Sequence, residues 1–537
     1  MRSDLDRFES RRSTVYGQRG VVATSQPLAA QVGISTLEDG GNAFDAAVAT
    51  AATLNVVEPT STGLGGDVFA LYRTAAGEVG AMRACGGAPA NADVDTVTEA
   101  LGSDSSDVVE MPETGAHTVT VPGTARGWEA TVEQLGRKTL AEVLQPAIGY
   151  AMNGYPVSEV VAEQWRHGEE LFASPHAREA FLFDGRAPKV GQRVSLPKLG
   201  ESLQAIAREG ADVVYEGKIG ERIVSEVRSR GGFMTLDDLA DFEVEWPTPI
   251  TSSYNGADIY ELPPNNQGVI ALEALNIAEE IGAGDYSLDS PERVHYFVEA
   301  MKRAFHDGHH YVADPTYEEH PPLATAEWAR RRAQGIDGRA TQNISIGVPN
   351  ANAEDADTVL LTIADEEGNL VSFINSRFEG FGSGLVAGDT GIALQNRGSS
   401  FSLDPTHPNV LEPGKRPFHT LIPGVAKLAN DDWVAFGVMG GYMQPQGHVQ
   451  VLSNVVDYDL PLQAALDRPR WRYRESGVLA LEPHVNDDIA AKLARLGHDV
   501  RTLPATEFGG AQIARCDGAG VLSAATEPRK DGNAQGY

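Results

Sequence analysis

Residues 350–357 read NANAEDAD, acidic and without one large apolar side chain, and at Thr358 the chain turns abruptly into TVLLTIADEEGNLVSFINS. That second stretch alternates β-branched and apolar residues around a DEEGN turn, the pattern of a strand, a turn and a returning strand. The boundary fixes where a hairpin must begin, and it carries a chemical consequence. Scission between Asp357 and Thr358 would leave a threonine whose hydroxyl is a nucleophile and whose free α-amine can act as the base. Left intact, the same pattern is an edge hairpin following a surface loop, because acidic polar runs remain in solvent.

The 537 residues suffice for a large core, whether as several average domains or as one layered unit. Lys+Arg total 43 against 75 Asp+Glu, a net charge of −32. Such a surface repels phosphate backbones and anionic bilayers, so neither nucleic acid nor membrane is an expected partner. The acid is spread along the chain, as in heavily hydrated surfaces working at high salt, and stability measured against KCl tests that reading. Cys85 and Cys516 are far apart and outside any CxxC, which argues against a disulfide framework or a zinc site. The opening MRSDLDRFESRRSTVYGQRG has no apolar core of a signal, and no uncharged stretch is long enough to span a bilayer. A cytoplasmic location is the expectation.

Along the chain the pattern predicts a short strand near residue 21, a helix near Pro27–Glu38, a GGN break, and an alanine-rich helix within NAFDAAVATAATLNVVEP. TSTGLGGDVFALYR follows as a glycine turn entering a strand. It is not a dinucleotide site, since GLGGD precedes a strand and lacks the GxGxxG spacing. Residues 92–113 are acidic and serine-rich and read as a surface loop, helical patterns fill 127–227 and 269–310, and 314–357 reads as surface. After Thr358 come strands and glycine turns, then helices near residues 446–456 and 487–496. No internal repeat is present.

Four local motifs invite chemistry. His306, Asp307, His309 and His310 do not have HExxH spacing; the segment reads as a capping or packing cluster where a helix ends at Gly308, and no metal is assigned. EPGKRP lacks the rest of a phosphate loop, so Lys415 and Arg416 read as members of internal ion pairs. GVMGG lies between an apolar strand and a helix, where successive glycine N–H groups can converge on an oxyanion, and FEGFGSG at 378–384 admits the same reading.

Read together, GVVATSQPLAAQVGISTLEDGGNAFDAAVATAATLNVVEPTSTGLGG, VPGTARGW, LPPNNQG, GNLVSF, FGSGLVAGDTGIALQN, EPGKRP and GVMGG, in this order, resemble the γ-glutamyltranspeptidase family of N-terminal-nucleophile hydrolases over about residues 16–530. The resemblance implies an α/β (α+β) fold, a four-layer αββα sandwich built from two autoproteolytic subunits, 1–357 and 358–537, interlaced as one unit. It implies cleavage at Asp357–Thr358, Thr358 as the nucleophile that carries the acyl group, Ser376 as its hydroxyl support, and Gly440 and Gly441 as the oxyanion hole. No cofactor or metal is called for. The implied partners are a small-molecule amide and the chain's own subunits, with a higher oligomer left open.

The departures concern the substrate. The family's carboxylate-gripping arginine turn corresponds to Cys85–Gly86–Gly87–Ala88–Pro89, with Arg83 displaced by two residues. Its substrate-binding asparagine falls at Phe378, its glutamine and aspartate at Arg397 and Ser400, and its serine pair at His419 and Thr420. Loss of the aspartate removes the partner of a γ-glutamyl ammonium, a gap Glu379 is placed to fill, while Arg397 repels an ammonium and attracts a carboxylate. Arg377 and Arg397 are the candidate anion clamp; the alternative is a pair of surface or intersubunit arginines. The expected activity is transfer or hydrolysis of γ-glutamyl amides such as glutathione. Hydrolysis of small acid amides such as oxamate is the alternative within the class, and a processed but inactive binding protein the alternative outside it.

Overall fold

The computed structural model describes residues 12–102, 110–172, 174–342, 344 and 358–537. Two β-sheets lie face to face. One has the strand order Asn533–Gly536, Gly20–Thr24, Val359–Asp365, Leu370–Ser376, Asp67–Arg73, Val79–Ala84. The other runs Val15–Gly17, Leu522–Thr526, Gly510–Cys516, Trp433–Met439, Gly424–Lys427, Ala257–Glu261, Ile250–Tyr254. All neighbours in both sheets are antiparallel.

The alternation read at Thr358 explains the layering. Val359, Leu361 and Ile363 join the core shared with helices, whereas Leu360 and Ala364 point into the core between the sheets. The strand Trp433–Met439 does the same from the opposite sheet, sending Ala435 and Met439 inward and Val434, Phe436 and Val438 outward. Each outer face is roofed by helices. Pro27–Glu38, Ala43–Val57 and Leu140–Asn153 share the outer core of the six-stranded sheet; Gly268–Glu280, Pro291–Tyr311 and Met443–Val456 share that of the seven-stranded sheet. The result is the αββα sandwich.

Small residues let these layers close. Every residue of Ala43–Val57 is buried, its start fixed by an Asn42–Asp45 capping box, and a Cβ at Gly33 of the preceding helix would lie 2.6 Å from Thr50 Oγ1. Two expectations need correcting. Residues 92–113 are not loop throughout, because Asp93 accepts from the Thr96 N–H and caps the helix Val94–Ala100. The stretch after Asp314, read as surface, is largely exposed over its described residues and includes a helix, Ala326–Ala333, capped by Thr325. Gly308 does not end its helix, which continues to Tyr311; a Cβ there would meet Ile270 Cγ1 at 2.3 Å, so the glycine serves the contact between two helices. Among the described residues no helix is long and apolar enough to cross a membrane. Asp357 and the acidic run before it lie outside the described residues.

Candidate active site

One row of residues crosses three strands at the end of the six-stranded sheet. Val359 pairs with Asn375, which puts Thr358 next to Ser376, and Ser376 pairs in turn with Asp67. Leu360, Ile374 and Phe69, each two residues further along, face the space between the sheets, so the row Thr358–Ser376–Asp67 faces it too. The Thr358 hydroxyl donates to Ser376 Oγ at 3.2 Å, and Ser376 Oγ also accepts from the Phe378 N–H at 2.8 Å. All three row residues are buried. The GLGG turn backs this arrangement: a Cβ at Gly66 would lie 2.2 Å from the Ser376 carbonyl oxygen, so that glycine serves close approach.

The second sheet contributes the opposite wall. Its strand Trp433–Met439 ends at Gly440 and Gly441, with φ of +116° and +55°, before the helix Met443–Val456. L side chains resist these conformations. Among the described residues neither glycine N–H donates a hydrogen bond, while the Gly441 carbonyl accepts from Gln267 Nε2 at 2.9 Å. Gln267 Nε2 also reaches the Thr420 carbonyl at 2.9 Å, tying the glycine turn to the segment that holds His419 and Thr420.

His419 and Asp67 form a buried pair, Nε2 to Oδ2 3.0 Å. The Leu421 N–H donates to His419 Nδ1, which makes Nε2 the protonated nitrogen and donor of a neutral imidazole. Burial, followed by the charges of Arg397 and Arg83, holds His419 well below its ordinary value. Burial raises Asp67 to about 7, against the opposing pull of Arg397 and hydrogen bonds from Gln395 and the Gly123 N–H. This is a hydrogen-bonded pair rather than an ion pair.

Arg397 stands beside it, fully buried at the head of the turn Arg397–Ser400. Its Nη1 donates to Thr420 Oγ1 at 2.8 Å and its guanidinium lies 4.2 Å from the centroid of Phe378, which holds a φ of +81°. Nε and Nη2 have no hydrogen-bond partner among the described residues. Burial lowers its pKa to about 10, which leaves it charged at neutral pH. Ser400 is buried nearby in sequence, its hydroxyl also without a partner among the described residues.

Arg377 has a different environment. It is buried, its Nη2 donates to the Pro59 carbonyl, and its guanidinium lies over Phe381, 5.4 Å from the centroid. Neither Arg377 nor Arg397 is at the surface. Glu379 is partly buried and accepts from Asn396 Nδ2 at 2.9 Å. Arg83, the displaced arginine, is committed to Glu245 and to the carbonyls of Pro263 and Pro264.

The remaining motifs resolve into packing and ion pairs. Arg416 binds Asp314 and Glu245, and Lys415 binds Glu412. Asp307 pairs with Arg332 and accepts from Trp328, His310 contacts the His306 carbonyl, and His309 packs among Phe305, Phe418 and Tyr442. Cys85 and Cys516 are free thiols. Sequence reasoning passed over Asp67, Gln267 and Gln395. Asp67 carried a legible signal, an acid set between a glycine turn and an apolar strand. A cavity of about 880 Å³ lies away from this row, between Pro156–Val160, Glu482–His484 and Arg529–Asp531.

With this geometry described, comparison with known proteins is direct. The family model for gamma-glutamyltranspeptidase matches residues 29–537. The glutathione hydrolase-like YwrD proenzyme of Bacillus subtilis is 38% identical over 97% of this chain and 99% of its own. The oxamate amidohydrolase proenzyme of Klebsiella pneumoniae is 35% identical over 98% of this chain and 100% of its own. Among solved structures, cephalosporin acylase from Bacillus halodurans superposes with a TM-score of 0.91 at 40% identity, covering 100% of this chain and 99% of that one. The chain therefore belongs to the γ-glutamyltranspeptidase family of enzymes.

Proposed function

We propose that this protein is a self-processing threonine amidohydrolase or acyltransferase whose nucleophile is Thr358. The observation that carries the reading is the buried Thr358–Ser376 hydroxyl contact, at the head of the strand that begins where the acidic run stops. In the intact chain the Thr358 hydroxyl would attack the Asp357 carbonyl and give an ester that water cleaves. The freed α-amine, ordinarily of pKa ~7.7–8.0, is then neutral in a large fraction of molecules near pH 8 and takes the hydroxyl proton. Ser376 fixes the hydroxyl, its own oxygen held by the Phe378 N–H. The N–H groups of Gly440 and Gly441, which donate to no group among the described residues, are suited to the oxyanion of the tetrahedral intermediate.

For the substrate, Arg397 is the better clamp of the two arginines. Its charge survives burial, Asp67 with a pKa of about 7 offsets it only in part, and two of its nitrogens have no acceptor among the described residues. Arg377 is occupied in holding the loop at Pro59. The reading is an amide of a dicarboxylic acid whose free carboxylate reaches Arg397, with γ-glutamyl amides as the first class. The arginine at 397 and the neutral Ser400 favour, as a second, acid amides without an ammonium, and the oxamate amidohydrolase relative supports including them. A denaturing gel with N-terminal sequencing tests the nucleophile: wild-type protein should give two bands, the smaller beginning at Thr358, and Thr358→Ala one inactive band. A cleaved Thr358→Ala protein contradicts it. A panel of γ-glutamyl anilide, glutaryl anilide and oxamate separates the substrate classes.

A further inference from the structure

A cavity of about 470 Å³ lies outside the site described above, and the charge of its walls runs against that of the chain. It is enclosed by the start of the helix Pro291–Tyr311, the far half of Met443–Val456, the stretch from Ala465 to Trp471 and the helix Asp487–Leu496. Gln450 and Asn454 line it, and at 1.5 Å per residue they lie about 10–17 Å along their helix from Met443, close behind the glycine turn. Pro469 and His484 also line the cavity of about 880 Å³, so the two spaces adjoin. Of the helix Asp487–Leu496 only Leu493 is buried, which makes that wall the thinly attached one.

Arg293 lines this space and is 8% exposed. Buried arginines elsewhere hold a carboxylate: Arg83 has Glu245, Arg303 has Glu299 and Arg470 has Glu527. Arg293 forms no ion pair among the described residues. Its Nη2 donates to Ser453 Oγ at 2.7 Å and Asn454 Oδ1 at 2.9 Å, while Nε has no hydrogen-bond partner among the described residues. The rings of Phe297 and Tyr458 have their centroids 5.2 and 4.9 Å from the guanidinium. Asp457, whose charge acts on Arg293, is held by the Tyr254 hydroxyl at 2.8 Å and Asn255 Nδ2 at 2.7 Å. Neutral dipoles and ring faces offset a guanidinium only in part, and a carboxylate brought to it would add a charge-assisted hydrogen bond.

The other walls agree with an anionic ligand. Arg468 pairs with Asp289 and Arg470 with Glu527, which leaves, His484 apart, Arg293 and Lys492 against Asp488. A positive surplus here stands out in a chain of net charge −32. Between the charges the lining is apolar, with Leu288, Val294, Val451, Ala465, Leu481 and Ile489. We propose that this cavity is a second binding site, for a small organic acid whose carboxylate meets Arg293 and Lys492 and whose apolar body lies against these side chains. The volume is that of ordinary small-molecule sites. The acid is a ligand here and not a substrate, so the site stands or falls independently of the threonine chemistry.

Calorimetric titration with 4-phenylbutyrate tests it, with 4-phenylbutanamide as the neutral probe and inorganic phosphate as the anion without an apolar body. The amide and phosphate should each bind wild-type protein at least about tenfold more weakly than the acid, for loss of the charged contact in one and of apolar burial in the other. Arg293→Gln should raise Kd for the acid about 10- to 100-fold, and Lys492→Glu, on the exposed face of its helix, about three- to tenfold. Arg397→Gln should leave Kd within about twofold, which separates this cavity from the clamp proposed beside Thr358. If circular dichroism shows that Arg293→Gln does not fold, Lys492→Glu decides. No binding of 4-phenylbutyrate, phosphate binding as tightly as the acid, an affinity unchanged by Lys492→Glu, or an affinity lost in Arg397→Gln would each overturn the site.

Discussion

Asp67 brings pH into the site. Its value of about 7 in the folded protein lies above the 3.8 of an ordinary aspartate, so between those limits the folded chain holds a proton that the unfolded chain releases. Its contribution to stability therefore declines as pH rises through that window. The groups facing it are His419, Gln395, the Gly123 N–H and Arg397. Once ionised above pH 7, Asp67 competes with a substrate carboxylate for Arg397, so KM for an acid amide should rise as pH passes 7. Asp67→Asn should flatten that rise, and a pH series of KM checks it; an unaltered profile counts against the coupling. Removing the proposed clamp with Arg397→Gln should raise KM about 10- to 100-fold, the worth of a hydrogen bond to a charged group, without stopping self-cleavage. Arg397→Asp is a poorer probe, because it would set a second buried carboxylate beside Asp67. The family resemblance singled out Thr358 and Ser376, and the fold brings their hydroxyls to 3.2 Å of each other. Gln267 was passed over, because only the folded chain brings its Nε2 to the Gly441 and Thr420 carbonyls.

Elements were legible where periodicity and capping agree. The helix Pro27–Glu38 has proline at its first turn, and Ala43–Val57 has its capping box, so both could be placed from sequence. The misreading at Gly308 shows the limit of local signals, since a glycine near clustered histidines looks like a stop until the partner helix is known. In the folded protein Gly308 belongs to Pro291–Tyr311 and faces Ile270 of Gly268–Glu280. Gly308→Ala should improve helix propensity by ~1 kcal/mol yet overpack this contact by ~1–3 kcal/mol, for a net loss. Thermal unfolding measures it, and a raised Tm would contradict the close approach. Smaller side chains at Ile270 should relieve the strain, so Ile270→Ala in the Gly308→Ala background should cost less than in wild type.

At the scale of the whole molecule, the two products of scission at Asp357–Thr358 would be woven through both sheets. In the six-stranded sheet Val359–Asp365, from the C-terminal part, is hydrogen-bonded to Gly20–Thr24, and Leu370–Ser376 to Asp67–Arg73, both from the N-terminal part. In the seven-stranded sheet Gly424–Lys427 pairs with Ala257–Glu261, and Leu522–Thr526 with Val15–Gly17. The segment leading to the acidic run is fastened as well: Ala340 N–H donates to the Leu496 carbonyl at 2.8 Å and Gln342 Nε2 to that of Gly497 at 3.0 Å. Parting the two chains would break these four strand pairings and a fifth, of Asn533–Gly536 with Gly20–Thr24, and open the core between the sheets, losses that no hydrated interface replaces. Cleaved protein should therefore elute as one species in native gel filtration. Under increasing urea, loss of secondary structure and separation of the fragments should share one midpoint, as one cooperative unit requires. A smaller fragment that elutes alone in native buffer would mean that the sheets are not continuous across the cut.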